Sequence, residues 1–207
     1  MARPFLTDES KRAFAAAVHA FEEGCGAELV VAVRPRSGSY LDADLKAGIA
    51  AGLLVLAVLL FSPWPVALGY FLLDPAIVGA MAALASSRSR ALRRLMTPRR
   101  ERRRRVAAAA RALFLDKGIH RTRARNGILL YLSLLEREVE AVMDVGVEPL
   151  AATSAWQRAL TGVAAALAAG EGGVAVAGRV RELAASLAPS LPHAAGQADE
   201  LPDEVCE

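Results

Sequence analysis

The chain has 207 residues, 54% of them hydrophobic and 23% charged, with a formal net charge of +3. That length accommodates one domain or a small pair with a real core, and apolar and charged populations this large must be segregated, which excludes an evenly mixed soluble chain. Cys25 and Cys206 lie near opposite ends without metal-ligand spacing, so a reducing compartment and no disulfide framework are expected.

Met1 to Arg12 is charged and lacks the apolar run of a signal peptide, so no export of this end is expected. Thr7 reads as the N-cap of a first helix, with Asp8 and Glu9 placed against the positive end of its dipole. Phe14, Ala17, Val18 and Phe21 fall on one stripe, and Gly24 and Gly26 end the helix. Ala27 to Val33 is a nearly continuous apolar run, the pattern of a strand covered on both faces.

From Ala47 to Ser87 the only charged residue is Asp74. Such a run is too long for one span and is broken by Ser62-Pro63-Trp64-Pro65, whose prolines disfavour helix. Two membrane helices are expected, roughly Leu45 to Phe61 and Val66 to Ala85, with Gly48 and Gly52 facing Gly79 and Ala83. Asp74, beside Pro75 and near mid-membrane, is expected to sit at a local helix break where water or a freed backbone group satisfies its carboxyl.

Ten arginines follow against the single acid Glu101: Arg88, Arg90, Arg93, Arg94, Arg99, Arg100, Arg102, Arg103, Arg104 and Arg105. Positive flanks stay cytosolic, so both termini and the soluble domain are expected on the cytosolic face of a bacterial inner membrane. The segment has no aromatic residue for base stacking, so its expected partners are the lipid bilayer and anionic phospholipids, with no nucleic acid.

Val106 to Leu115 reads as a helix closed by Lys117-Gly118, and His120 to Arg125 as a basic connection. Ile128 to Leu135 reads as a second strand, turned by Glu136 and Arg137. Val139, Ala141, Met143 and Val145 alternate with Glu138, Glu140 and Asp144 in its hairpin partner. Two helices follow, one aligning Trp156, Leu160, Val163 and Leu167, the other Val176, Val180, Leu183 and Leu187. Pro189 stops the last, and residues 190–207 carry five acids and no Lys or Arg, an acidic tail.

Ala27 to Val31 after an amphipathic helix, Arg125-Asn126-Gly127-Ile128 opening a strand, and Val139 to Gly146 as its partner together resemble the TPM-domain family. Glu200 to Val205 resembles the tail of a membrane-inserted bacterial branch of it. The resemblance implies an α/β fold: an α/β/α sandwich around a small mixed sheet, here interrupted by a two-helix transmembrane hairpin. The domain halves would be residues 1–46 and 106–189, around a hairpin at 47–87 and an Arg-rich segment at 88–105.

The resemblance also raises a phosphatase or a divalent-metal protein holding calcium or magnesium. Arg125 stands where such relatives commonly carry Asp, beside Arg121 and Arg123, and Asp144 and Glu148 are the remaining acidic candidates for a metal. No phosphate-binding loop, nucleophile elbow, zinc helix or C-x-x-C pair is present. A cofactor-free binding, scaffolding or envelope-maintenance module with a protein partner or a homo-oligomeric state is therefore expected.

Overall fold

The computed structural model describes residues 4–63 and 65–187. Trp64, Pro189, His193, Cys206 and the acidic tail lie outside the described residues. The chain forms two compact units, one of Met1–Ser37 with Arg103–Glu207 and one of Gly38–Arg102. Among the described residues there are seven α-helices and a small mixed sheet of three strands.

In the first unit, α1 (Asp8–Gly24) starts as its sequence predicts. The Thr7 hydroxyl accepts from the Ser10 amide at 3.2 Å while the Thr7 amide donates to the Ser10 hydroxyl at 2.7 Å, so two of the donors that open a helix are satisfied reciprocally. The apolar stripe of Phe14, Ala17, Val18 and Phe21 is fully buried. Strand β1 (Glu28–Arg34) pairs parallel with β2 (Gly127–Ser133), from Glu28 opposite Gly127 to Arg34 opposite Ser133. Strand β3 (Glu138–Met143) pairs antiparallel with β2, giving the order β1-β2-β3. β2 stops two residues earlier than expected because Leu134 to Arg137 form the turn, with Arg137 at φ 54°.

Side-chain alternation divides the core. Leu29, Val31, Val33, Ile128, Leu130 and Leu132 pack on one face against α1, α6 (Ser154–Ala169) and α7 (Gly173–Leu187). Val30, Ala32, Leu129 and Tyr131 pack on the other against Val106, Ala110 and Phe114 of α5 (Arg99–Asp116). Apolar residues on both faces explain the unbroken hydrophobic runs of β1 and β2.

The second unit holds α2 (Leu41–Leu60), α3 (Leu68–Arg88) and the short α4 (Arg90–Met96). Both long helices are long and apolar enough to cross a membrane, each about 30 Å at 1.5 Å per residue. α2 begins four residues earlier than expected, since Asp42 and Asp44 in its first turn favour the positive end of the dipole. A Cβ on Gly48 would lie 2.7 Å from the Gly79 carbonyl oxygen, so only hydrogen at that position allows the two backbones this approach. The expected break beside Asp74 does not occur: α3 runs continuously through Pro75. Proline there removes a single N–H from the ladder, and the turns on either side keep their own bonds.

Candidate functional site

The Asn-Gly step is a junction. Asn126 is buried; its Nδ2 donates to the Gly26 carbonyl at 2.8 Å, its carbonyl accepts from the Glu28 amide at 3.2 Å, and its own amide donates to Thr122 Oγ1 at 3.2 Å. One residue, through its side chain and its backbone, thereby ties the loop after α1 and the start of β1 to the start of β2. At Gly127 a Cβ would stand 2.5 Å from the Ile119 carbonyl oxygen, so the short 3-10 helix Ile119–Arg121 can pack directly on the strand. Both motif residues are engaged in holding the fold.

Next to this junction, Arg125 adopts a left-handed backbone at φ 53°. Its Nη1 donates to the His120 carbonyl at 3.0 Å, and its Nε lies 3.2 Å from Asp144 Oδ2. The Asp144 side chain is 4% exposed, and Oδ2 receives no aligned hydrogen bond, so the contact is one of charge. Oδ1 accepts from the Val145 amide at 2.8 Å. Glu148 is exposed in the 3-10 helix Glu148–Ala152. A calcium or magnesium site needs several oxygens and excess negative charge, whereas Asp144 faces a guanidinium; the residues present do not fit such an ion. Among the described residues no group of three or more His, Cys, Asp or Glu could hold a metal.

Two buried clusters were illegible in the sequence. At the opposite end of β2, the buried Glu136 carboxylate accepts from the Ser37 amide at 2.9 Å and from the Ser133 hydroxyl, and Ser37 Oγ donates to Ser133 Oγ at 2.6 Å. Glu136 and Ser133 are buried and Ser37 is half-buried, so the cluster ties the turn after β2 to the end of β1. In the second unit Arg93 of α4 grips Asp44 of α2 with two bonds, Nε to Oδ1 at 3.0 Å and Nη2 to Oδ2 at 2.7 Å, and Ser86 of α3 donates to Oδ1 at 2.8 Å. All three helices meet at this carboxylate, whose side chain is 9% exposed.

The arginine segment is thus not uniformly available. Arg93 is committed to Asp44, Arg103 Nε lies 3.4 Å from Glu138, and Arg88 reaches back to the Leu84 carbonyl. Arg90, Arg99, Arg100 and Arg104 are exposed, Arg102 is half-buried, and Arg94 and Arg105 have partners. Asp74 is half-buried on α3, and among the described residues it forms no hydrogen bond or ion pair.

A solved structure shares this fold. The NMR structure of the BA42 protein from the psychrophilic bacterium Bizionia argentinensis matches with a TM-score of 0.59 over 100% of this chain and 97% of that one. The identity is 14%, so the likeness is one of fold alone. No family model and no curated protein matches the chain.

Proposed function

We propose that α2 and α3 anchor this chain in a bacterial cytoplasmic membrane, and that the first unit is a TPM-like α/β/α sandwich on the cytosolic side, working as a binding, scaffolding or envelope-maintenance module. One observation carries the reading. The exposed large apolar side chains of the described residues lie on α2, α3 and the turn between them, apart from Leu95, Leu115, Val145 and Val174. Leu45, Ile49, Leu53, Leu72, Ile77 and Met81 are each more than half exposed. A core helix of a soluble protein is mostly buried, whereas only 22% of the apolar window of α2 and 6% of that of α3 is.

Orientation follows from connectivity and charge. The parallel pairing of β1 and β2 sets residues 28–34 beside residues 127–133, which supports a chain that returns to its starting side between them. The exposed arginines after α3 favour the cytosolic face, where each contributes about 1 kcal/mol of attraction to anionic lipid. Retention in the membrane pellet after alkaline carbonate washing tests the anchor; complete release would refute it.

As to chemistry, Asp144 faces a cation and Glu148 is solvated, which favours binding over hydrolysis. The purified chain is expected to leave p-nitrophenyl phosphate intact with magnesium or calcium present. Hydrolysis that disappears in Asp144→Asn would replace the module with a phosphatase.

A further inference from the structure

β3 is the one strand of the sheet left half-open. The other edge strand, β1, is buried from Glu28 to Val33, whereas every residue of β3 is partly exposed. The Asp144 amide donates to the Gly127 carbonyl, continuing the antiparallel ladder. Because hydrogen-bonding direction alternates along such a strand, Glu138, Glu140 and Val142 then turn their backbone groups toward β2. Val139, Ala141 and Met143 turn theirs outward, and among the described residues nothing pairs with them.

A groove of about 290 Å³ runs along this edge. It is lined by Arg103 and Val106 of α5, Glu138 and Glu140 of β3, and Leu160 and Thr161 of α6. Since α5 and α6 cover opposite faces of the sheet, a groove lined by both passes the end of the sheet, where the β3 backbone lies. The two acids on its floor differ. Glu138 has Arg103 at 3.4 Å; Glu140 has no ion pair among the described residues, and burial raises its pKa although Arg111 and Arg103 are near enough to oppose the rise.

We infer that the β3 edge is a docking site for an extended segment of a partner protein, added as a fourth strand and carrying Lys or Arg opposite Glu140. Outward amide and carbonyl groups in alternation are satisfied in register only by another strand. The unpaired carboxylate sets the sign of charge that such a strand must bring. A second copy fits less well. Antiparallel self-pairing about Ala141 sets Val142 across from Glu140, and pairing about Glu140 sets two acids face to face. This inference rests on the binding-module reading and names its surface and its class of partner.

The test uses the full chain in detergent micelles and a fluorescein-labelled peptide of about eight residues alternating Lys and Val, followed by anisotropy. Ala141→Pro removes an outward amide and leaves the β2–β3 ladder intact, since proline is tolerated on an edge whose N–H faces away. We expect the peptide to bind, to bind at least about tenfold more weakly to Ala141→Pro with unchanged circular dichroism, and to slow amide exchange at Val139, Ala141 and Met143. In Glu140→Lys a Glu-Val peptide should be preferred instead. Equal binding to the wild type and Ala141→Pro overturns the inference, as does binding indifferent to charge at residue 140. Concentration-dependent dimers abolished by Ala141→Pro, without peptide binding, would assign the edge to a second copy. Carbonate-resistant membrane retention with no peptide binding removes the docking edge and leaves the anchor standing.

Discussion

Asn126 uses its side chain and both backbone groups to bond Gly26, Glu28 and Thr122, and of these three bonds only that to Gly26 depends on the side chain. Asn126→Ala removes a hydrogen bond of the buried Asn126 side chain to the half-buried Gly26 carbonyl, and a cost of about 1 kcal/mol is expected in chemical unfolding. The Asn-Gly pair stood out in the sequence as a motif; its role did not, because nothing local announces that a side chain reaches a carbonyl 100 residues earlier. Asp144 was legible as an acid near the third strand but not as the partner of Arg125, since pairing depends on the left-handed turn at residue 125. Cys25 offers a second measurement. Burial pushes its thiol up to about 11, so the reactive thiolate is scarce at pH 8. In a Cys206→Ser background, iodoacetamide should label Cys25 slowly when the protein is folded and quickly in denaturant; fast labelling of the folded chain would place the thiol at the surface.

At the scale of elements, the apolar helical hairpin was readable because uninterrupted apolar length stands out in a sequence, and its glycines were readable as packing points. The carboxylate clasp beneath it was not. Asp44 and Arg93 are 49 residues apart and look like two ordinary charges flanking the apolar run. Gly79→Leu should drive α2 and α3 apart at a cost of about 1–3 kcal/mol, whereas Gly69→Leu, with nothing within 4 Å of its Cβ, should be silent. Comparing their melting temperatures in micelles checks this, and equal behaviour of the two would dissolve the packing argument. β3 gives a pH prediction. Burial raises the carboxyl pKa of Glu140 most, with Glu138 adding to it and Arg111 and Arg103 opposing. The folded state therefore binds this proton more tightly than the unfolded one, and stability falls as pH rises from the ordinary carboxylate range through the raised value. Glu140→Gln should flatten that decline and leave the protein slightly more stable at neutral pH; an unchanged or steeper pH slope would count against it. A carboxylate that lowers stability where it sits is consistent with a binding role for the β3 edge.

For the whole molecule, the sheet would constrain the topology of the proposed membrane anchor. β1 and β2 are in register over seven pairs, yet the chain between them contains both apolar helices. Separating the two strands would expose their ten apolar side chains, a cost above the few kcal/mol by which a domain is stable. On the proposed membrane reading the strands therefore stay on one side, and the helices are expected to cross an even number of times. Reporter fusions at Met1 and after Glu207 should give cytosolic signals, and one inserted at Ser62 a signal from the opposite face. The arginines after α3 bias the sign of this pattern, and the sheet bias its parity. Replacing Arg90, Arg99, Arg100 and Arg104 by Gln should therefore weaken or invert the orientation of the hairpin while keeping the two termini together. Termini reported on opposite faces in that variant would show that the sheet does not govern how the chain threads the bilayer.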